Sequence, residues 1–262
     1  MNRLFSSLAA SAHALLSAFP YALTGLVTSL LAYLLLSPFA AVAQTNEQPQ
    51  RARDVEWTSY RDAYKSMLWF EKFGKAKNLI QFQLQVVPRD KNSSLENYGL
   101  HILGKTIHLN LPLDPLGRTA LPLLKAAYDE NAELVLNQKS GQASFYFRTS
   151  LSLRADGIYE LNELRAACEQ ALAYQTYIDP ASTKTKKCIG IRLGFAKKDY
   201  AAQVELKIAN SNSQILSLSD NSSLWADGIN NVKALNFLFA QHPEKGQLFT
   251  RTSPLGMIAL IE

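Results

Sequence analysis

The sequence predicts an α+β protein that is mainly β, with sandwich-like antiparallel sheets and two packed helices. Three observations support this fold class. Apolar and polar residues alternate in several short segments, turns rich in Pro and Gly separate these segments, and two longer segments show helical spacing of apolar residues. The chain has 262 residues, 47% of them hydrophobic and 19% charged, which suits a folded body with a buried core.

The N-terminal segment predicts export from the cytosol. Arg3 precedes an apolar run, Ala22–Leu36, that is typical of the core of a signal peptide. The sequence Ala-Val-Ala then ends at Ala43 and supplies small residues at positions −3 and −1 of a peptidase site. We therefore expect a signal peptide over 1–43, with cleavage between Ala43 and Gln44, and a periplasmic or secreted protein.

An uncleaved membrane anchor is the alternative interpretation of this segment. The apolar stretch Ala14–Ala43 is long enough to span a bilayer, which needs about 20 residues. In that case the protein would be a membrane-anchored structural protein, in contact with the membrane only through the signal segment. Ser, Gly, Thr and Pro interrupt the stretch, and this favours cleavage.

The two cysteines, Cys168 and Cys188, both follow the predicted cleavage site. In an oxidising compartment an even pair predicts a disulfide. The bond would close a loop of about 20 residues and contribute roughly 3 kcal/mol in the chain-entropy model. A metal or redox pair is disfavoured, because the spacing is not Cys-x-x-Cys and no His lies nearby. We expect neither a metal nor a cofactor.

The remaining chain divides into three parts. Residues 44–56 predict a flexible polar leader, residues 57–155 a helix followed by a β-sandwich-like region, and residues 156–262 a disulfide-stapled helix with C-terminal strands. The last two parts are compatible with a single domain.

Helical spacing predicts the first helix over Trp57–Phe73, with Asp54 as its cap, and the second over Ile158–Ile178, ended by Asp179-Pro180. Alternation predicts a strand from Leu79 to Pro88. Further short strands are expected around Gly104 and in the segments 134–136, 145–151, 189–195, 204–208, 215–218, 237–239, 248–251 and 257–261.

The segment LNLPLDPLGRTALPLLKAAYDENAELVLN, residues 109–137, resembles the middle of transthyretin-like β-sandwich accessory domains. These domains carry a strand, an Asp-rich turn with Gly, and a Leu-Pro strand. The segment is also similar to functionally unassigned exported proteins of Gram-negative bacteria. The resemblance covers about thirty residues, implies a sandwich fold and transfers no catalytic residue.

One motif imitates a nucleotide-binding loop. Residues Gly99–Thr106 fit the pattern GxxxxGK[ST], which needs a strand before it and a helix after it to cradle phosphates. Here a polar loop precedes the motif, and a strand-like segment that ends at Pro112 follows it. We therefore expect no nucleotide ligand. The net charge of +5 is spread along the chain, so we expect no nucleic-acid partner either.

Other candidate sites depend on residues that the fold must bring together. His101 and His108 would form a metal pair only across a hairpin and with a carboxylate such as Glu96 or Asp114. A glycosidase would need two carboxylates across a cleft. An aromatic face for a sugar or a peptide would draw on a set of aromatic and basic residues, for which core packing is the alternative: Trp57, Tyr64, Trp69, Tyr98, Arg61, Lys65 and Lys72.

These observations favour a non-catalytic exported protein that binds an envelope component or a partner protein. A periplasmic hydrolase acting on cell-envelope material is the alternative, because sites assembled from distant residues leave no local signature. A cleft with two convergent titratable groups would favour the hydrolase, and an aromatic face or an open sheet edge would favour binding.

Overall fold

The structure is a computed structural model that describes residues 54–208, 213–229 and 231–262. The predicted cleavage site at Ala43 and Gln44, and most of the predicted leader, lie outside the described residues. The described residues form fifteen strands, four helices and one 3₁₀ turn, and this confirms the mainly β, α+β class. They belong to one compact unit.

The strands are β1 Val55–Ser59, β2 Ile80–Pro88, β3 Leu100–Leu103, β4 His108–Leu111, β5 Arg118–Thr119, β6 Glu133–Lys139, β7 Ala143–Leu151, β8 Ile158–Glu160, β9 Cys188–Ala196, β10 Val204–Lys207, β11 Gln214–Leu216, β12 Ser219–Ser222, β13 Val232–Leu238, β14 Gln247–Thr250 and β15 Gly256–Ile261. The helices are α1 Tyr60–Lys72, α2 Lys125–Asp129, α3 Leu161–Ile178 and α4 Pro180–Thr183, and the 3₁₀ turn is Phe239–Gln241.

These strands form four antiparallel sheets with the orders β1-β6-β3-β4, β5-β2-β7, β11-β10-β14-β8 and β12-β13-β9-β15. In β2 the apolar residues of the alternating sequence are the buried ones, since Ile80, Phe82 and Leu84 lie in the core. Helix α3 packs against β9, β15, β7 and β2 and so links two of the sheets.

The predicted start of the first helix is wrong. Residues Val55–Ser59, predicted in part as a flexible leader and in part as helix, form a strand that pairs with β6. The helix begins at Tyr60, and Ser59 rather than Asp54 caps it, with the Ser59 hydroxyl accepting from the N–H of Asp62 at 3.4 Å.

The second helix also starts later than predicted. Residues Ile158–Glu160 form β8, which pairs with β14, and α3 runs from Leu161 to Ile178. Its predicted end before Asp179 is confirmed. Two short helices, α2 and α4, and the polar strand β12 have no counterpart in the sequence prediction.

Cys168 and Cys188 lie at disulfide distance, with their Cα atoms 6.0 Å apart. Cys168 is fully buried on α3, and Cys188 is the first residue of β9. The pair therefore links the middle of the helix to the strand on which it packs. Among the described residues, no helix is both long and apolar enough to cross a membrane.

Candidate ligand-binding groove

A groove of about 650 Å³ lies between α1, the C-terminal half of α3, α4 and the strand β7. Its lining combines aromatic rings with hydroxyl, amide and charged groups, a mixture typical of ligand sites. The lining residues are Lys65, Ser66, Trp69, Phe82, Phe147, Arg148, Thr149, Tyr174, Gln175, Ile178, Asp179, Ser182, Thr183 and Trp225.

Three aromatic rings form a rigid floor. Phe82 on β2 stacks on Phe147 of β7, with ring centroids 5.1 Å apart and planes inclined by 9°. Tyr174 of α3 meets Phe82 edge-on at 5.3 Å and 74°. Such offset and edge-to-face contacts are the favoured geometries of aromatic pairs. These contacts hold the three rings together at the floor of the groove.

Tyr174 carries a polar group that no described residue satisfies. The residue is only 1% exposed, and it lines the groove. Its hydroxyl has no hydrogen-bond partner among the described residues. Burial raises the pKa of Tyr174, so the hydroxyl stays protonated and can donate. The hydroxyl is therefore free to donate to a ligand or to water in the groove.

Trp69 provides an exposed aromatic surface at the rim. It is 52% exposed, and its ring lies 6.2 Å from that of Tyr177. Ile178, at the end of α3, is 41% exposed and lines the same groove. Large apolar side chains left in water beside a concave surface are typical of binding sites.

Arg148 of β7 is held in place by two side-chain hydrogen bonds. Its Nε donates to Oε1 of Gln85 at 2.9 Å, and its Nη2 donates to Oδ2 of Asp227 at 2.7 Å. The guanidinium also lies over the rings of Tyr146 and Trp225, 4.6 Å and 5.4 Å from their centroids. Arg148 is therefore fixed beside the groove as one half of an ion pair with Asp227.

Asp179 is the one carboxylate in the described lining of the groove. Its Oδ1 accepts from the N–H of Ser182 at 3.2 Å, and so it caps the first turn of α4. The hydrogen bonds from Ser182 lower the pKa of Asp179. Asp179 therefore stabilises the start of α4. The described lining offers no second carboxylate across the groove.

Only part of the predicted aromatic face lies here. The structure brings Trp69 and Lys65 into the groove, whereas Tyr64 packs against Tyr60 and Tyr128. Trp57 belongs to β1, and Tyr98 lines a different cavity. Sequence reasoning missed Tyr174, Arg148 and Trp225, because they come from three separate segments and no short motif joins them.

The motif that imitates a nucleotide-binding loop is a hairpin. Gly104 follows β3 and donates its N–H to the carbonyl of Ile107 at 2.7 Å. The N–H and hydroxyl of Thr106 both donate to the carboxylate of Glu130, so neither donor is available to a phosphate. His101 and His108 lie on the two strands of this hairpin, each opposite another residue. In the part of the chain that the structure describes, no group of three or more metal-ligating side chains is assembled.

Comparison with known proteins found no matching protein-family model, no matching curated protein and no matching solved structure. The interpretation of the groove therefore depends on its own geometry.

Proposed function

We propose that this chain is an exported, non-catalytic protein that binds an envelope component or a partner protein in the groove. The observation that carries the proposal is the groove itself, in which the rings of Phe82, Phe147 and Tyr174 lie together and the ring of Trp69 is 52% exposed. Aromatic rings supply apolar contact area, and a small number of polar groups fixes the orientation of a ligand. Export is supported by the N-terminal leader sequence and by the paired cysteines.

The hydrolase alternative needs two titratable groups that converge on one cleft. The described lining of the groove offers Asp179, which caps α4, and no carboxylate opposite it. The observations on the groove therefore favour binding over hydrolysis.

Titration of the protein that begins at Gln44 with a panel of peptidoglycan fragments, glycans and peptides tests the proposal. We expect Trp69→Ala to weaken binding of the best ligand by about tenfold or more, because tryptophan is among the residues that most often dominate binding energy. Trp57→Ala is the matched control, because Trp57 is comparably exposed at 38% but lies outside the groove. Equal affinities of the two variants would contradict a ligand site in the groove.

Export has a separate test. N-terminal sequencing of the exported product should begin at Gln44. A product that begins at Met1 would support the membrane-anchored alternative instead.

A further inference from the structure

A second pocket lies on one face of the sheet β12-β13-β9-β15. On β9 the side chains of Ile191, Leu193 and Phe195 are fully buried on the opposite face. Since successive side chains of a strand point to opposite faces, Arg192 lies on the face of the pocket. It lines this pocket of about 450 Å³, a volume within the range of small-molecule sites.

Arg192 is anchored in the pocket by neutral acceptors. Its Nε donates to Oδ1 of Asn236, the residue opposite it on β13, at 2.7 Å. Its Nη1 donates to the carbonyls of Ser223 and Leu224 at 3.3 Å and 3.5 Å. Among the described residues its guanidinium makes no ion pair, and its Nη2 has no hydrogen-bond partner. The positive charge is therefore fixed in position without a carboxylate partner.

Further hydrogen-bond donors line the same pocket. Because Oδ1 of Asn236 accepts from Arg192, the amide group of Asn236 keeps both of its N–H donors. Ser217, Ser219 and Ser223 also line the pocket, and their hydroxyls make no hydrogen bond within the described chain. These groups can donate to an anion that meets the guanidinium.

The register of the sheet brings Ser219 and Arg192 to one face. Ser219 is opposite Ala234, and Arg192 is opposite Asn236, which lies two residues further along β13. Residues two apart on a strand share a face, so all four side chains do. The described lining contains no Asp or Glu, and Asp220, which follows Ser219, is not part of it. The pocket thus combines a cation that lacks a counter-ion with neutral donors.

We propose that this pocket binds a phosphate group, either free or carried by a small hydrophilic solute. The forked donors of a guanidinium match the oxygens of a phosphate, and charged hydrogen bonds are stronger than neutral ones. A phosphate monoester offers three terminal oxygens, which suit the donors of Arg192, Asn236 and the serines better than the two oxygens of a carboxylate do. None of the described lining residues belongs to the groove, so this site is additional to the proposed function.

Isothermal titration calorimetry of the protein that begins at Gln44 tests the ligand class. The probes are inorganic phosphate, glycerol 1-phosphate, its carboxylate counterpart glycerate, and neutral glycerol. We expect at least one of the two phosphates to bind with a Kd of about 1 mM or below. Glycerate should bind about tenfold or more weakly, and glycerol should not bind. Tighter binding of glycerol 1-phosphate than of inorganic phosphate would identify a phosphorylated solute as the source, and the reverse order would identify free phosphate.

A substitution of Arg192 tests the cation. Arg192→Met removes the charge and its donors, and we expect it to weaken binding of the better phosphate probe by about tenfold or more. Arg89→Met is the matched control, because it removes an equal charge from an exposed residue outside the pocket. It should bind within about twofold of the native chain, since a distant surface charge is screened by salt.

A second variant tests the neutral donors without disturbing the fold. Ser217→Ala/Ser219→Ala removes two hydroxyls that make no described hydrogen bond, and we expect it to weaken binding of the same probe by about fivefold or more. Circular dichroism and thermal denaturation check that each variant is folded. If Arg192→Met is not folded, the serine variant decides the question.

Several results would overturn the phosphate site. Neither phosphate binds below about 10 mM, or glycerate or glycerol binds as tightly as the phosphates. Arg89→Met weakens binding as much as Arg192→Met, or the serine variant binds like the native chain. Trp69→Ala should leave phosphate binding unchanged, so failure of the groove as a ligand site and failure of this pocket are separate outcomes.

Discussion

The Cα atoms of Cys168 and Cys188 lie 6.0 Å apart, and the chain between these two residues forms one wall of the groove. Six of the lining residues belong to the intervening segment: Tyr174, Gln175, Ile178, Asp179, Ser182 and Thr183. The link therefore restrains the part of the chain on which the candidate site depends.

Removing this link should lower both stability and affinity. We expect the Cys168→Ser/Cys188→Ser variant to lose roughly 3 kcal/mol in free energy of unfolding, because its unfolded chain is less restricted. Urea titrations with and without dithiothreitol measure the effect. The reductant should destabilise the native chain and leave the double variant unchanged. A native chain that is insensitive to the reductant would show that the two thiols are not bonded in solution.

Loss of the side-chain hydroxyl should destabilise the protein at Tyr60 but have little effect on stability at Tyr174. Tyr60 donates to the carbonyl of Pro122 at 2.6 Å and accepts from the N–H of Leu124 at 2.8 Å. Tyr60→Phe leaves these groups unpaired, and we expect it to cost about 1–3 kcal/mol. Tyr174→Phe breaks no described hydrogen bond and should stay within about 1 kcal/mol of the native chain while it weakens ligand binding.

Thermal and urea denaturation of the two variants, beside ligand titration of Tyr174→Phe, make this comparison. A large loss of stability in Tyr174→Phe would indicate that the hydroxyl has an internal partner and is not available to a ligand.

Arg118 should be important for the packing of β5 against the segment that leads into β15. It is 7% exposed, its Nε donates to Oδ2 of Asp114 at 2.7 Å, and its Nη2 donates to the carbonyl of Leu255 at 2.5 Å. We expect Arg118→Met to cost about 2–3 kcal/mol, measured by urea denaturation, because charged hydrogen bonds are lost and Asp114 loses its counter-ion. Lys125→Met is the control, since the pair of Lys125 with Asp129 is exposed and should matter little.

His242 should make stability depend on pH. Its ring stacks on Phe237 with centroids 4.1 Å apart, and burial, with a contribution from the charge of Arg165, lowers the pKa of His242 below its usual 6.5. The folded state then binds a proton less readily than the unfolded state. Stability is fully present above about pH 6.5 and is lost as the pH falls through the lowered pKa.

The urea midpoint at pH 7.5 and at pH 5.5 measures this effect. The urea midpoint of the native chain should fall more between pH 7.5 and pH 5.5 than the midpoint of His242→Gln, which lacks this titrating group. Equal losses in both proteins would contradict the lowered pKa.

Local patterns in the sequence predict much of this fold. The alternation in β2 and the spacing of apolar residues in α3 lie within single segments. The strand forms where it is expected, and the helix ends where it is expected but begins at Leu161 rather than at Ile158. The strand at Val55–Ser59 escapes such patterns because its partner, β6, lies more than seventy residues away. Trp57 fits the helical spacing of the following residues, and only pairing with the distant strand places it in a sheet.

The groove could be predicted only in part. Trp69 and Lys65 are candidates from the sequence because aromatic and basic residues are close together in that segment. Tyr174 lies in a predicted helix, where an aromatic residue indicates core packing. Arg148 and Trp225 give no signal, because their roles arise from contacts between segments. The pairing of β7 with β2 is likewise a property of strand order, which periodicity does not contain.

The hairpin of β3 and β4 places a carboxylate against the donors of the motif that imitates a nucleotide-binding loop. Thr106 directs its N–H and its hydroxyl to Glu130, so a triphosphate at this loop would bring its own negative charge against that carboxylate. A match to the pattern at Gly99–Thr106 would therefore suggest a ligand that a side chain of the same chain repels.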